Sequence, residues 1–441
     1  MFSVSKRKII DLLALFSTSF SVCWMFSYHY VSNHEFPCTC KQNRALKYKE
    51  QTLNKYSPKL FTEKIVVNGS IASRDENIWS GQKTNSHFEL FTMPSNDVSR
   101  SLCHNISWDS NMTIRKFYGW DPKVLQNSYL STYKSPCFYT PRKSLSCLPY
   151  FFLAGMPKSG TTDIWGKLIQ HPQILNSVKE PHWWSRLFKA KVRNKHRYSP
   201  FNGYTRFFKT FIWRYSKMNA KKTKQVVIGD GSVSTFWDNH YWLTAGVDKT
   251  PGVLQIIHSV LPKAKFIVAF REPSYRLFSS YQYFKVGKVK DYHRQVVRSL
   301  RSFSECFNRS SVRTCTFSQS EETKILRVHI NMYSVYVREF LRFFPRDQLF
   351  HFRLDEWSKD CPGLLKKLFA FLEIDAMPQK ELSNICQKKR RNKTRKKVQS
   401  LDQSNETRKM VQEFYKPYLR ELAELLDDPR YLWEDNVTKD F

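Results

Sequence analysis

Leu148–Thr162 reads LPYFFLAGMPKSGTT, and the order of residue types in it decides the fold. The run from Leu148 to Ala154 is short and continuously apolar, as a parallel strand buried on both faces should be. Gly155 ends it, a loop containing Lys158 and Gly160 follows, and Trp165, Leu168 and Ile169 then recur at helical spacing. A strand, a glycine-containing turn and a helix N-terminus together aim several backbone amides at one point. Lys158 adds charge there, and Thr161 and Thr162 add hydroxyls. The stretch therefore predicts a site for a phosphate-type anion built from Lys158, Ser159, Gly160, Thr161 and Thr162. The Gly155-to-Gly160 spacing is that of the GxxxxGK[ST] loop, yet the lysine lies inside the loop at 158 and Thr161 stands where that motif has its lysine.

Outward from this unit, Val226–Ile228, Phe266–Phe270 and Leu349–Leu354 are further short apolar runs separated by helical patterns. Their alternation predicts an α/β fold, a parallel sheet flanked by helices, in which the loops after the strands open at one edge. Phe270 leads into Arg271, Pro273 suits a first helical turn, and Ser279 falls about two turns later. Arg271 and Ser279 can thus converge on a second anion, with guanidinium geometry suited to two-point contact. Lys179-Glu-Pro-His-Trp-Trp184 follows the first helix. Pro181 biases Glu180 toward an extended conformation, which would set Glu180 and His182 on one face. If an acceptor hydroxyl reacts here, a positioned group must take its proton, with Glu180 the first candidate and His182 the second, or an orienting group. Gly229-Asp-Gly-Ser-Val-Ser-Thr235 opens at the same edge, so Asp230, Ser232 and Ser234 are candidates for acceptor contacts; ordinary turn chemistry is the alternative.

The chain of 441 residues is strongly basic, 72 Lys+Arg against 38 Asp+Glu, a formal charge of +34 that favours polyanionic partners. Residues 1–8 carry Lys6, Arg7 and Lys8, and 9–31 form an apolar run long enough for a membrane span, with Asp11 near its start. The expected topology is a short cytoplasmic tail, a signal anchor over 9–31, a lumenal stem over 32–136 and a catalytic body over 137–441; a cleaved signal peptide is the alternative reading. Asn-x-Ser/Thr triplets at Asn68, Asn105, Asn111, Asn308, Asn392, Asn405 and Asn436 agree with the secretory route. In that compartment the 10 cysteines should largely pair or be buried; Cys137 with Cys147 and Cys306 with Cys315 are spaced to close short loops. Cysteine and histidine at zinc-ligand spacing are absent from the sequence, and no metal site is expected. Ile325–Phe344, Gly363–Leu372 and Glu406–Leu426 read as amphipathic covering helices. The run Lys388–Lys397 is basic almost throughout and, in a lumenal protein, would grip an anion rather than serve as a nuclear address.

Pro157-Lys-Ser-Gly-Thr-Thr162 and Arg271-Glu-Pro-Ser-Tyr-Arg-Leu-Phe-Ser279 resemble the 5′-phosphosulfate and 3′-phosphate motifs of sulfotransferases that use 3′-phosphoadenosine-5′-phosphosulfate (PAPS). The resemblance implies PAPS as donor and PAP as product, with Lys158 bridging phosphate and sulfate, and Arg271 and Ser279 holding the 3′-phosphate. KEPHWW is similar to a segment of glycosaminoglycan sulfotransferases in which the glutamate is the base, so Glu180 takes that role, Lys179 becomes a substrate-binding candidate, and Trp183 and Trp184 either line a sugar cleft or are core. A basic loop near the C-terminus in that family points to Lys396 and Lys397 as donor contacts, although its usual glycine and histidine pattern is missing here. Over residues 137–433 the motif order most resembles the N-acetylgalactosamine 4-sulfate 6-O-sulfotransferases. The resemblance implies a glycosaminoglycan acceptor of the chondroitin or dermatan type, and the anchor over 9–31 implies a Golgi membrane location and no nucleic-acid partner. A heparan sulfate acceptor, a Golgi kinase using Asp230 for magnesium, and a non-catalytic glycosaminoglycan binder are the competing expectations.

Overall fold

Phe151, Phe152, Leu153 and Ala154 are all fully buried, and they form the middle strand of the sheet. The structure is a computed structural model that describes residues 121–177, 179–187, 200–218, 222–239, 252–284, 288–318, 326–388 and 403–434. The expected anchor at 9–31, most of the stem, Cys38 and Cys40, Lys396 and Lys397, and the triplets at Asn68, Asn105, Asn111, Asn392 and Asn436 lie outside those residues. No helix among the described residues is long and apolar enough to cross a membrane.

Strands β1 (Cys137–Tyr139) and β2 (Leu145–Cys147) form an antiparallel hairpin closed by the Cys137–Cys147 disulfide. The main sheet contains β3 (Phe151–Gly155), β4 (Ile174–Leu175), β5 (Val227–Asp230), β6 (Lys265–Phe270) and β7 (Leu349–Arg353). Their order is β4-β5-β3-β6-β7, and every pairing is parallel. All the carboxyl ends therefore share one edge. In chain order the helices are α1 (Pro122–Asn127), α2 (Thr161–Leu168), α3 (Pro200–Met218), α4 (Val253–Val260), α5 (Pro273–Phe284), α6 (Tyr292–Phe307), α7 (Val312–Phe317), α8 (Tyr333–Leu341), α9 (Leu354–Lys359), α10 (Cys361–Phe371), α11 (Gln379–Gln387) and α12 (Asn405–Leu426).

Because successive strand residues face opposite ways, β3 sends Phe152 and Ala154 into one core and Phe151 and Leu153 into another. The first core is completed by α3, α4, α5, α6, α8 and α12, the second by α2, α10 and α11. The sheet is thus covered on both faces, which is why its central strand β3 is apolar throughout rather than alternating.

The structure corrects one expectation and extends two. The residues just before 137, expected as stem, are partly packed on the body: α1 is docked on α4, with Gln126 Nε2 donating to the Ser259 carbonyl at 2.6 Å and Tyr129 Oη to the Val260 carbonyl at 3.0 Å, because Leu125 is buried there. The amphipathic stretch expected to run from Ile325 to Phe344 is broken, since Arg327 has left-handed φ and only a short 3₁₀ turn, Val328–Asn331, precedes α8. A third disulfide, Cys361–Cys386, joins the start of α10 to α11, beside the two anticipated ones at Cys137–Cys147 and Cys306–Cys315. Its partners are too far apart in sequence for a short-loop argument. Asn308 and Asn405, the described glycosylation candidates, are both exposed.

Candidate active site

The loop between β3 and α2 turns sharply, and two left-handed positions achieve it: Lys158 at φ 68° and, two residues on, Gly160 at φ 70°. Glycine adopts such a φ without steric cost, while a residue with Cβ, such as Lys158, does so at a cost. Gly160 is the N-cap of α2, so the amides that follow it face the loop. The helix is fixed from below by a buried pair, Lys167 Nζ to Asp163 Oδ2 at 2.8 Å, and by Trp357 Nε1 donating to the same oxygen at 3.1 Å. Replacing Gly160 by alanine would force Cβ to 2.5 Å from Leu354 Cδ1. The leucine tip can move, but the left-handed φ remains, so Gly160→Ala should cost about 1–2 kcal/mol in denaturant unfolding. An unchanged unfolding midpoint would show that the loop does not need this conformation.

Strand β6 lies beside β3, and this juxtaposition joins the two anion motifs. Met156 N donates to the Ala269 carbonyl at 2.9 Å, and Arg271 Nη1 donates to the Lys158 carbonyl at 3.1 Å. Tyr333 Oη in turn donates to the Arg271 carbonyl at 2.8 Å. Glu272 caps the first turn of α5, accepting from Ser274 Oγ at 2.6 Å and the Tyr275 amide at 2.9 Å. Ser279 is on α5, half-buried, two turns after Arg271. Ser159 is fully buried, and its Oγ has no hydrogen-bond partner among the described residues. A buried hydroxyl of that kind calls for an acceptor.

Electrostatics sharpen this. Burial, then the nearby Arg271 and Arg276 guanidinium groups, draw the Lys158 ammonium down to about 8, while the Glu180 carboxylate pulls the other way. Arg271 is drawn down to about 10, chiefly by burial. Clustered cations that repel one another are stabilised by a multiply charged anion. Lys158 Nζ lies 3.6 Å from the Tyr283 ring centroid.

Glu180 and His182 do meet, but not by the extended conformation expected. Both have left-handed φ, 62° and 50° with Pro181 between them, so the segment turns at each side of the proline. His182 Nε2 is 3.7 Å from Glu180 Oε2, and Lys179 Nζ contacts Glu180 Oε1. His182, foremost, and Lys179 outweigh burial and hold Glu180 down at about 2. It is therefore ionised across the physiological range.

Trp183, Trp184, Asp230, Ser232 and Ser234 are not surface contacts for an acceptor. The two tryptophans are 2% and 1% exposed, with Trp183 stacked on Tyr204 at 4.8 Å. Asp230 is fully buried, accepting from Tyr204 Oη at 2.6 Å and from the Ser232 amide at 2.8 Å. Ser232 Oγ accepts from the His182 amide at 2.8 Å, and Ser234 Oγ is 2.6 Å from His182 Nδ1 and 2.6 Å from Ser185 Oγ. Burial thus converts the expected acceptor contacts into the support that holds His182. When Ser234 donates to Nδ1, the proton of the neutral imidazole sits on Nε2, facing Glu180. Asp230, the carboxylate a kinase would need for magnesium, is occupied by this support.

Sequence reasoning overlooked Arg276, which is fully buried. Its Nε contacts Asn331 Oδ1 and its Nη2 donates to the Arg327 carbonyl at 3.1 Å. An arginine at a buried helical position after Arg271 was the available signal. Arg327, which lies far along the chain, offered none.

With these groups at one sheet edge, the chemistry available is to bind a multiply charged anion between the β3 and β6 loops and to take a proton beside it. The sequence model of the Sulfotransferase family matches residues 149–379. Carbohydrate sulfotransferase 15 of Mus musculus is 30% identical over 311 residues, 66% of this chain and 55% of that protein. Carbohydrate sulfotransferase 15 of Rattus norvegicus is 28% identical over 375 residues, 70% of this chain and 67% of that protein. The chain thus spans between about half and two thirds of the length of these relatives. The crystal structure of a sulfotransferase from Alicyclobacillus acidocaldarius aligns with 66% of this chain and 100% of its own at 20% identity, with a TM-score of 0.41, a likeness too distant to argue from.

Proposed function

Since the chain belongs to the sulfotransferase family, we propose that it transfers a sulfuryl group from PAPS to a sugar hydroxyl of chondroitin or dermatan sulfate, the 6-hydroxyl of N-acetylgalactosamine 4-sulfate. One observation carries the reading: Arg271 is bonded to the Lys158 carbonyl, and the Lys158 ammonium lies within electrostatic reach of both Arg271 and Glu180, so anion binding and proton acceptance belong to one site. The named relatives support a carbohydrate acceptor. The +34 charge suits a polyanionic one.

The residues fit the donor. Ser159 offers a buried hydroxyl without a partner among the described residues, and Lys158 is a half-buried ammonium. They would hold the 5′-phosphosulfate together with the amides after Gly160, while Arg271 and Ser279 would hold the 3′-phosphate. PAPS supplies an activated sulfuryl group whose departure leaves a phosphate. Lys158 neutralises negative charge on that leaving side, and Glu180 accepts the hydroxyl proton on the attacking side. His182, fixed by Ser232 and Ser234, and Lys179 keep Glu180 ionised and oriented. Catalysis is then positioning plus electrostatic stabilisation.

The same reading places the body in the Golgi lumen behind an anchor at 9–31, on the strength of the apolar run and the Asn-x-Ser/Thr triplets. Incubation of the purified chain with labelled PAPS and a panel of 4-sulfated chondroitin, desulfated chondroitin and heparan sulfate, followed by disaccharide analysis, tests it. Label on the 6-position of 4-sulfated N-acetylgalactosamine is expected. Label confined to heparan would move the acceptor to that class, and no label on any glycan would overturn the reading.

A further inference from the structure

The last turn of α5 carries the chain's most exposed described aromatic pair. Tyr283 and Phe284 are 62% and 47% exposed, with ring centroids 4.9 Å apart and planes at 86°. Tyr283 is one turn beyond Ser279, on the same helical face, and Lys158 Nζ stands 3.6 Å over its ring. The Arg327 guanidinium stands 3.5 Å over the Phe284 ring. The Tyr283 ring therefore adjoins the donor lysine directly, and the Phe284 ring adjoins that of Tyr283.

Arg327 belongs to a surplus of positive charge. Burial lowers its pKa first, then repulsion from Arg276 and Arg186, with Asp238 opposing. Asp238 is itself engaged by Arg186 Nε at 2.7 Å. Arg276 is buried, its Nη1 lacks a partner among the described residues, and its Nη2 binds the Arg327 carbonyl. That bond and the Phe284 stack hold Arg327 at a left-handed φ of 55°, a conformation unfavourable for arginine that its surroundings enforce. A half-buried guanidinium held in an enforced conformation beside two exposed rings is placed to meet a ligand.

We infer that Tyr283, Phe284 and Arg327 form the acceptor subsite next to the reacting hydroxyl, where the rings support the C–H face of a pyranose and Arg327 binds an anionic substituent, a sulfate ester or a uronate carboxylate. Guanidinium is the side chain whose paired donors match either oxyanion. The assignment rests on the sulfuryl-transfer reading and adds to it the residues that select an anionic acceptor.

The test measures transfer from PAPS by the full chain to 4-sulfated chondroitin, to desulfated chondroitin, and to desulfated, carboxyl-reduced chondroitin. Arg327→Gln should lower kcat/KM about tenfold or more on acceptors carrying the anion it reads, change it less than about twofold on the uncharged one, and leave the KM for PAPS alone. A loss on 4-sulfated chondroitin only identifies the sulfate; a loss on both charged acceptors identifies the carboxylate. An equal loss on all three, or a raised KM for PAPS, overturns the subsite. Phe284→Leu, a change at an exposed ring, serves if Arg327→Gln does not fold: it should raise the acceptor KM severalfold with PAP binding intact, and an unchanged acceptor KM overturns the subsite. Wild-type protein that labels none of the acceptors would instead overturn the sulfuryl-transfer reading itself.

Discussion

Lys158→Met should lower the rate of sulfuryl transfer about a thousandfold, the scale of losing one preorganised charge donor at a site where charge develops. The substitution keeps a long side chain at the same left-handed position, φ 68°, so the backbone strain is common to both proteins and the comparison isolates the ammonium. The magnitude is large because the ammonium is half-buried among Arg271 and Arg276, where its charge is least screened and most in need of an anion. The pH dependence has a definite sign. A lysine drawn down to about 8 is charged below that pH and loses its charge above it, whereas a bound anion favours the charged form and raises the pKa. PAP affinity, measured by titration calorimetry, should therefore hold near neutrality and weaken as pH rises from about 7.5 to about 9.5, with proton uptake accompanying binding at the alkaline end. Lys158→Arg should flatten that decline. Transfer by Lys158→Met within tenfold of wild type would remove the lysine from the mechanism.

Glu180→Gln should lower kcat by about 10²–10⁴, the range of a positioned general base, while PAP affinity changes less than about threefold. The amide preserves shape but cannot accept the proton. The partners also predict an acid-side behaviour. Because His182 foremost and Lys179 hold Glu180 at about 2, protonation of this carboxylate does not limit the wild-type rate at mildly acidic pH. His182→Asn removes the largest cause of that depression, so the Glu180 pKa should rise and the acid limb of kcat/KM should move upward with it. Profiles measured between about pH 4 and 8 distinguish this from direct catalysis by His182, which would depress the rate at every pH without moving the limb. Unchanged turnover in Glu180→Gln would reassign the base.

The separation between these two residues and their surroundings explains what could be read early. Lys158 and Glu180 belong to local patterns: a strand ending in a glycine turn, and a charged segment following the next helix. The same holds for Arg271, which follows the apolar run of β6 directly. A second class of residue was legible only in type. Trp183, Asp230 and Ser234 had chemistry suited either to a cleft or to a core, and side-chain burial is a property of the whole fold rather than of a window of sequence. Their packing around Tyr204 and His182 resolved them as support. Arg327 was not legible at all, since its significance comes from contacts with Phe284 and Arg276, residues of a different helix.

The sequence by itself determined the parallel sheet covered by helices and the sharp turn after β3, because a strand buried on both faces must be continuously apolar and Gly160 supplies a residue able to take positive φ. Only the tertiary structure decided that Arg271 anchors the Lys158 loop, that Asp230, Ser232 and Ser234 face inward to hold His182, and that Arg327 stands over Phe284. Each of these is a contact between segments remote in the chain, fixed by which strands lie side by side and which helix faces meet.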